Sequence, residues 1–283
     1  MASNTASITS LSNSILASTI TGTIALGNGG TGQTTIAGIQ SALGLAGINV
    51  AIGASAGTIS QGDRAIAIGS NAGTNTQSAS GIAVGYGAGE YTQGAGAMAY
   101  GYHAGQISQG MNAIAIGSNA GQENQSSYAV AIGETTGKIN QGILAVAIGA
   151  GSGNSNQGFT SLAIGNNAGY SSQGTSAIAL GFNAGQTSQL DQSVAIGTNA
   201  GKVNQKEYSV AVGNNAGNIS QNTNSVAIGN GAGYNTQGIG STSSGGGSVA
   251  IGANAGNQLQ AIGAVAIGAS AGQNDQKEYA VAI

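Results

Sequence analysis

Along most of this chain a large branched residue, an alanine, a second large residue and a glycine follow one another, and the quartet returns every sixteen residues. The closing glycines are Gly53, Gly69, Gly85, Gly101, Gly117, Gly133, Gly149, Gly165, Gly181, Gly197, Gly213 and Gly229. One longer step, carrying the Ser/Gly-rich stretch Gly240 to Gly247, leads to Gly252, and Gly268 resumes the period. Residues two apart in a strand share a face. The quartet therefore predicts a short strand with a bulky face (Ile66 and Ile68, Val146 and Ile148, Val226 and Ile228) and a tiny one. On the tiny face the alanine is joined by Ala or Ser two places earlier, as at Ala65, Ala113, Ser193, Ser209 and Ser225. A period held this strictly predicts a solenoid, each unit one coil on a shared core.

The rest of the coil is turn and second strand. Four residues after each closing glycine stands another, from Gly57 to Gly272. Between them one position carries Asn71, Asn119, Asn167, Asn183, Asn199, Asn215 and Asn254, or else Gly, Ser, Thr or His103. Asn and Gly tolerate positive φ, so this position predicts a corner. Four residues beyond the second glycine lies glutamine: Gln61, Gln77, Gln93, Gln109, Gln125, Gln141, Gln157, Gln173, Gln189, Gln205, Gln221 and Gln237, continuing to Gln276. A glycine often follows (Gly62, Gly94, Gly110, Gly142), which predicts a second corner there. The expected fold is all-β: a parallel β-roll or β-solenoid of sixteen-residue coils with two short strands each. About fifteen coils at about 4.8 Å give a rod on the order of 70 Å long. Glutamine stacked on glutamine at that spacing can form an amide ladder. Tolerance of an exposed turn is the alternative, and the uniformity of the position favours the ladder.

Composition narrows the classes. Glycine supplies 53 of 283 residues, proline, cysteine and tryptophan none, and charged residues 5%. Collagen is excluded by the glycine spacing, and a solvated disordered chain by the 40% hydrophobic content with little charge. The net charge of −3 includes no basic patch, so nucleic acid is not an expected partner. No apolar run approaches the ~18–20 residues of a membrane span, and no membrane insertion is expected. Met1 to Thr5 lacks the start of a secretory signal peptide.

No catalytic, metal or cofactor constellation emerges. His103, the single histidine, replaces Asn at the corner. The acids Asp63, Asp191, Asp275, Glu90, Glu123, Glu134, Glu207 and Glu278 are mostly separated by coils, so no paired acid and base is expected. Lys206-Glu207-Tyr208 and Lys277-Glu278-Tyr279 occupy one coil position and read as exposed charge beside a covering tyrosine. Tyr91, Tyr102, Tyr170, Phe182 and Tyr234 fall near turns; a glycan-binding surface could use them, and surface cover is the reading favoured. The chain is not expected to be an enzyme.

A lone solenoid this thin looks poorly stabilised, and the small face suggests a partner. A strand face packed closely on another chain requires small residues. Ala67, Ala83, Ala99, Ala115, Ala131, Ala147, Ala163, Ala179, Ala195, Ala211, Ala227, Ala250 and Ala266 are therefore expected to line a homotrimer interface. The repeats Ser193-Val194-Ala195-Ile196-Gly197, Ser225-Val226-Ala227-Ile228-Gly229 and Ser248-Val249-Ala250-Ile251-Gly252 resemble those of the YadA-like head of trimeric autotransporter adhesins. The resemblance covers residues 47–283 and implies a left-handed parallel β-roll with three chains side by side. The sixteen-residue unit is longer than is usual in such heads.

The N-terminal part divides into an irregular lead, 1–22, and a linker, 23–46. The linker contains Gly29-Gly30-Thr31-Gly32 and a short helix expected from Ile36 to Leu45, capped by Thr34 or Thr35. It resembles a joining element of bacteriophage tail fibres. Together these features imply a trimeric rod of a virion or tail fibre, a spacer joined to other fibre modules and in reach of a host-surface receptor or glycan. The alternatives are a bacterial adhesin head at the cell surface and, from another class, an ice-binding solenoid. The last strand ends at Ile283 with an open edge, expected to be continued or docked end-on.

Overall fold

A computed structural model describes residues 49–239 and 247–283. The lead, the linker with its expected helix, and most of the 240–247 insertion lie outside the described residues. The described part is a parallel β-solenoid of about sixteen residues per coil, with two strands per coil and no helix.

The strands built on the quartets form one fifteen-stranded sheet, from Val50–Ile52 to Val281–Ala282. The strands ending on glutamine form a thirteen-stranded sheet, from Ile59–Gln61 to Gln258–Ala261. Every strand pairs with its equivalent one coil away. Val50 faces Ile66, Ala51 faces Ala67 and Ile52 faces Ile68, and the same register recurs along the sheet. It survives the longer coil, where Val226, Ala227 and Ile228 pair with Val249, Ala250 and Ile251.

Closure of so small a coil rests on left-handed backbone at fixed places. The closing glycines have φ near that of Gly165, +127°, which side chains rarely adopt. A Cβ on Gly165 would also lie 2.6 Å from the carbonyl oxygen of Gly181 in the next coil. The expected Asn/Gly corner is left-handed, as at Asn167 with φ 54° and Asn199 with φ 55°.

The second corner departs from expectation. Most glycines that follow glutamine, such as Gly62 and Gly94, are not left-handed; Gly238, with φ 82°, is the exception. The left-handed residue comes two places later, and is Ser80, Asn112, Tyr128, Leu144, Thr160 or Tyr208 in different coils. The position varies too widely, with Tyr, Leu and Thr beside Ser and Asn, to mark a turn by composition, which is why sequence reasoning put the corner on the glycine. A further left-handed residue sits in the middle of each glutamine strand, for example Thr76, Ser108, Asn140 and Ser220. Only its neighbours pair across coils, as Ile59 with Asn75 and Gln61 with Gln77. That strand is therefore bowed, and its central residue is mostly Ser, Thr or Asn.

Gly165→Ala should lower stability by about 3 kcal/mol or more, because it adds backbone strain and a clash with the adjacent coil. Asn167→Gly should cost less than about 1 kcal/mol, since glycine adopts the same φ freely. Chemical denaturation of the two variants measures both.

Candidate functional site

What fills the coil is decided by side-chain size. The alanines of the quartets, Ala67 through Ala266, are 0% exposed within a single chain. They pack against a second alanine column placed three residues after each closing glycine, including Ala72, Ala88, Ala168, Ala184 and Ala200. The Ala/Ser positions two residues before the quartet alanines are buried too. Ser193 Oγ and Ser209 Oγ each donate at 2.6 Å to the carbonyl three residues back. In two neighbouring coils the second column carries Thr136 and Ser152 instead, and both hydroxyls donate to backbone carbonyls of the next coil.

These alanines therefore cannot form the expected interface between chains. All thirteen, Ala67 to Ala266, point into their own coil and reach no surface. The error lay in assigning the small face to the outside. Along the alanine columns the two walls approach closely enough that the space takes only small side chains, alanine with Thr136 and Ser152.

The glutamine ladder is present, and it too is internal. From Gln77 to Gln260 the glutamines are buried, while Gln61 at the first coil is half-buried. Gln77 Nε2 donates to Gln93 Oε1 at 2.9 Å, Gln93 to Gln109 at 3.1 Å, and Gln125 to Gln141 at 3.0 Å. The same amide donates across the bore to the opposite sheet, Gln77 to the Ile66 carbonyl at 2.8 Å and Gln125 to that of Ile114 at 2.8 Å. Each glutamine thus ties coil to coil and sheet to sheet. The second glycine makes room for it: a Cβ on Gly169 would lie 2.8 Å from Gln173 Oε1. That is the physical reason for the fixed Gly-to-Gln spacing of four. The ladder has one gap, at Gln205 Oε1, a buried oxygen without a hydrogen-bond partner.

Outside, the quartets leave their large residues in two columns along the fifteen-stranded sheet. One is half-buried (Ile66, Ile114, Val146, Ile178, Val226). The other is more open, with Ile164, Ile196 and Ile251 each 37% exposed. The result is an aliphatic ridge about 65 Å long and about 10 Å wide.

The polar exterior groups its chemistry in one place. Tyr86, Tyr102 and His103 stack on one another, with Tyr102 and His103 centroids 4.1 Å apart at 9° between planes. Beside them Gln122 donates to Gln106 at 3.0 Å and Gln106 to Glu90 Oε2 at 2.8 Å. Glu90 raises the Tyr91 hydroxyl above its ordinary pKa, first through a hydrogen bond and then through its charge. Sequence reasoning took His103 as a corner substitute and Tyr102 as surface cover, and did not single out Tyr86. The signal available was the sixteen-residue interval between Tyr86 and Tyr102, which sets them on adjacent coils.

Among the described residues, no group of three or more His, Cys, Asp or Glu side chains gathers to hold a metal ion. No helix among them is long and apolar enough to cross a membrane. No protein-family model matches the chain, and comparison with curated proteins finds no relative.

Gln125→Ala should cost about 3–5 kcal/mol, because it opens a cavity and strands the Gln109 amide and the Gln141 oxygen. Gln276→Ala, at the last glutamine, breaks one side of the ladder only and should cost less than half as much. Urea unfolding of both variants gives the comparison.

Proposed function

We propose that the chain is a structural rod, a segment of a virion or tail fibre in which three copies pack side by side and the assembly acts as a spacer. The observation that carries this reading is the aliphatic ridge. A strip of these dimensions presents on the order of 650 Å² per copy. That exceeds the apolar patches usual on a monomer's surface and comes near the ~800 Å² per partner of a stable interface. Its composition of Val, Ile and Leu resembles a core cut open. Two parallel columns suit a threefold axis, since each can face a different neighbour.

Association through the ridge supplies what the bore cannot. The interior holds methyl groups and amides, so the burial of large apolar surface must come from contact between chains. The Ser-Val-Ala-Ile-Gly repeats support the same reading, because Val and Ile are the residues that form the ridge. These repeats also support a second reading, the head of a bacterial surface adhesin, which differs in the particle that carries the rod and not in its physics. Imaging the native filament or particle separates the two.

Sedimentation equilibrium should give three times the protomer mass of 26.9 kDa. Replacing Ile164 and Ile196 by Lys should release folded monomers, because the open column tolerates other side chains, as Tyr100 shows. A wild-type chain that stays monomeric would overturn the interface, and a dimer would overturn the threefold arrangement.

A further inference from the structure

The aromatic stack at Tyr86, Tyr102 and His103 is not required by the fold. The same positions are filled by Ser70 and Ser118 in the flanking coils and by Asn119 beyond His103, and the backbone ladder runs through all of them unchanged. Nor are the rings hidden: Tyr86 is 49% and Tyr102 53% exposed. Four of the nine tyrosines and the only histidine fall between residues 86 and 103. The two serines next to the stack are too short to cover its outer ring faces.

A carboxylate is held beside this platform. A methyl group on Gly87 would lie 2.6 Å from His103 Cδ2 and 3.4 Å from Glu90 Oε2, so imidazole and carboxylate both border the space over the bare glycine. Gln106, oriented in turn by Gln122, fixes Glu90. A carboxylate has about four acceptor positions. Gln106 takes one of them, at Oε2, and leaves part of that capacity free.

We propose that this corner binds a neutral saccharide, with one pyranose ring lying on an outer face of the stack and its hydroxyls donating to Glu90. Flat aromatic faces with a few placed polar groups are the means by which a shallow site recognises an amphipathic ring. Charge selects against anionic sugars. From residue 65 to 137 there is no Lys or Arg, while Glu90, Glu123 and Glu134 are present. Geometry selects against a quaternary ammonium group. The ring planes lie within 22° of parallel and cannot surround a cation as an aromatic cage does. The proposal does not depend on how many copies associate.

Saturation-transfer NMR on the full chain tests it, with methyl glycosides of glucose, galactose, mannose and N-acetylglucosamine, and with sialic acid and tetramethylammonium as counter-probes. At least one neutral glycoside should receive saturation, with Kd on the order of 1 mM. Tyr86→Ser combined with Tyr102→Ser copies the neighbouring coils and should weaken it about tenfold at an unchanged melting temperature. Glu90→Gln should weaken it as well, and His103→Asn provides a second variant built from the column's own residue. The proposal fails if no neutral glycoside binds, if binding is indifferent to these variants, or if sialic acid or tetramethylammonium binds better.

Discussion

The structure depends on a buried primary amide. A coil of sixteen residues closes around a narrow bore that its alanines alone do not fill, and backbone carbonyls of the facing sheet point into it. Glutamine meets both constraints. Its stem is slim, its nitrogen donates both to the facing sheet and to the next amide, and its oxygen accepts from the previous one. An unpaired amide in such an interior would be costly, and a continuous file of amides removes that cost. The single gap at Gln205 shows how nearly complete the file is.

Several constraints descend from that amide. The glycine four residues before it must lack a side chain, because the amide occupies the space. The coil length cannot drift by one residue without parting the file and rotating each strand's faces. Across the longer coil between Gln237 and Gln260 the amide contact remains 3.1 Å. A core of this kind admits only small changes, such as Thr136 and Ser152 in place of alanine, unlike a conventional core that can repack.

Because the interior takes only small groups, the large aliphatics are displaced outward, and the solenoid wears its hydrophobic residues on one flank. This inversion connects the core to the association proposed for the rod. Inner columns set the rise, the straight rise sets the outer columns in register, and registered columns make a ridge that a second copy can match along its whole length. Outward positions next to the corners, filled by Tyr86 and Tyr102 here and by Ser70 and Ser118 in the flanking coils, carry no such constraint, so chemistry can vary there. The tyrosine–histidine stack beside Glu90 occupies such a corner.

Much of this could be read from the residues. The interval between closing glycines determined the coil, the alternation around each quartet alanine determined a strand with unequal faces, and the unvarying glutamines determined that like stacks on like. The Asn-rich corner was legible because Asn declares left-handed backbone. The second corner was not, since Leu144, Tyr128 and Thr160 declare nothing of the kind. Sequence could not decide which strand face lies inside. Periodicity is the same whichever way the strand curls, and alanine is at home against another chain or within its own coil. The direction of curl comes from left-handed residues acting together across the whole turn, and the distance between the walls comes from their closure. Those are properties of the closed coil, and they turned the alanines inward and the valines and isoleucines out.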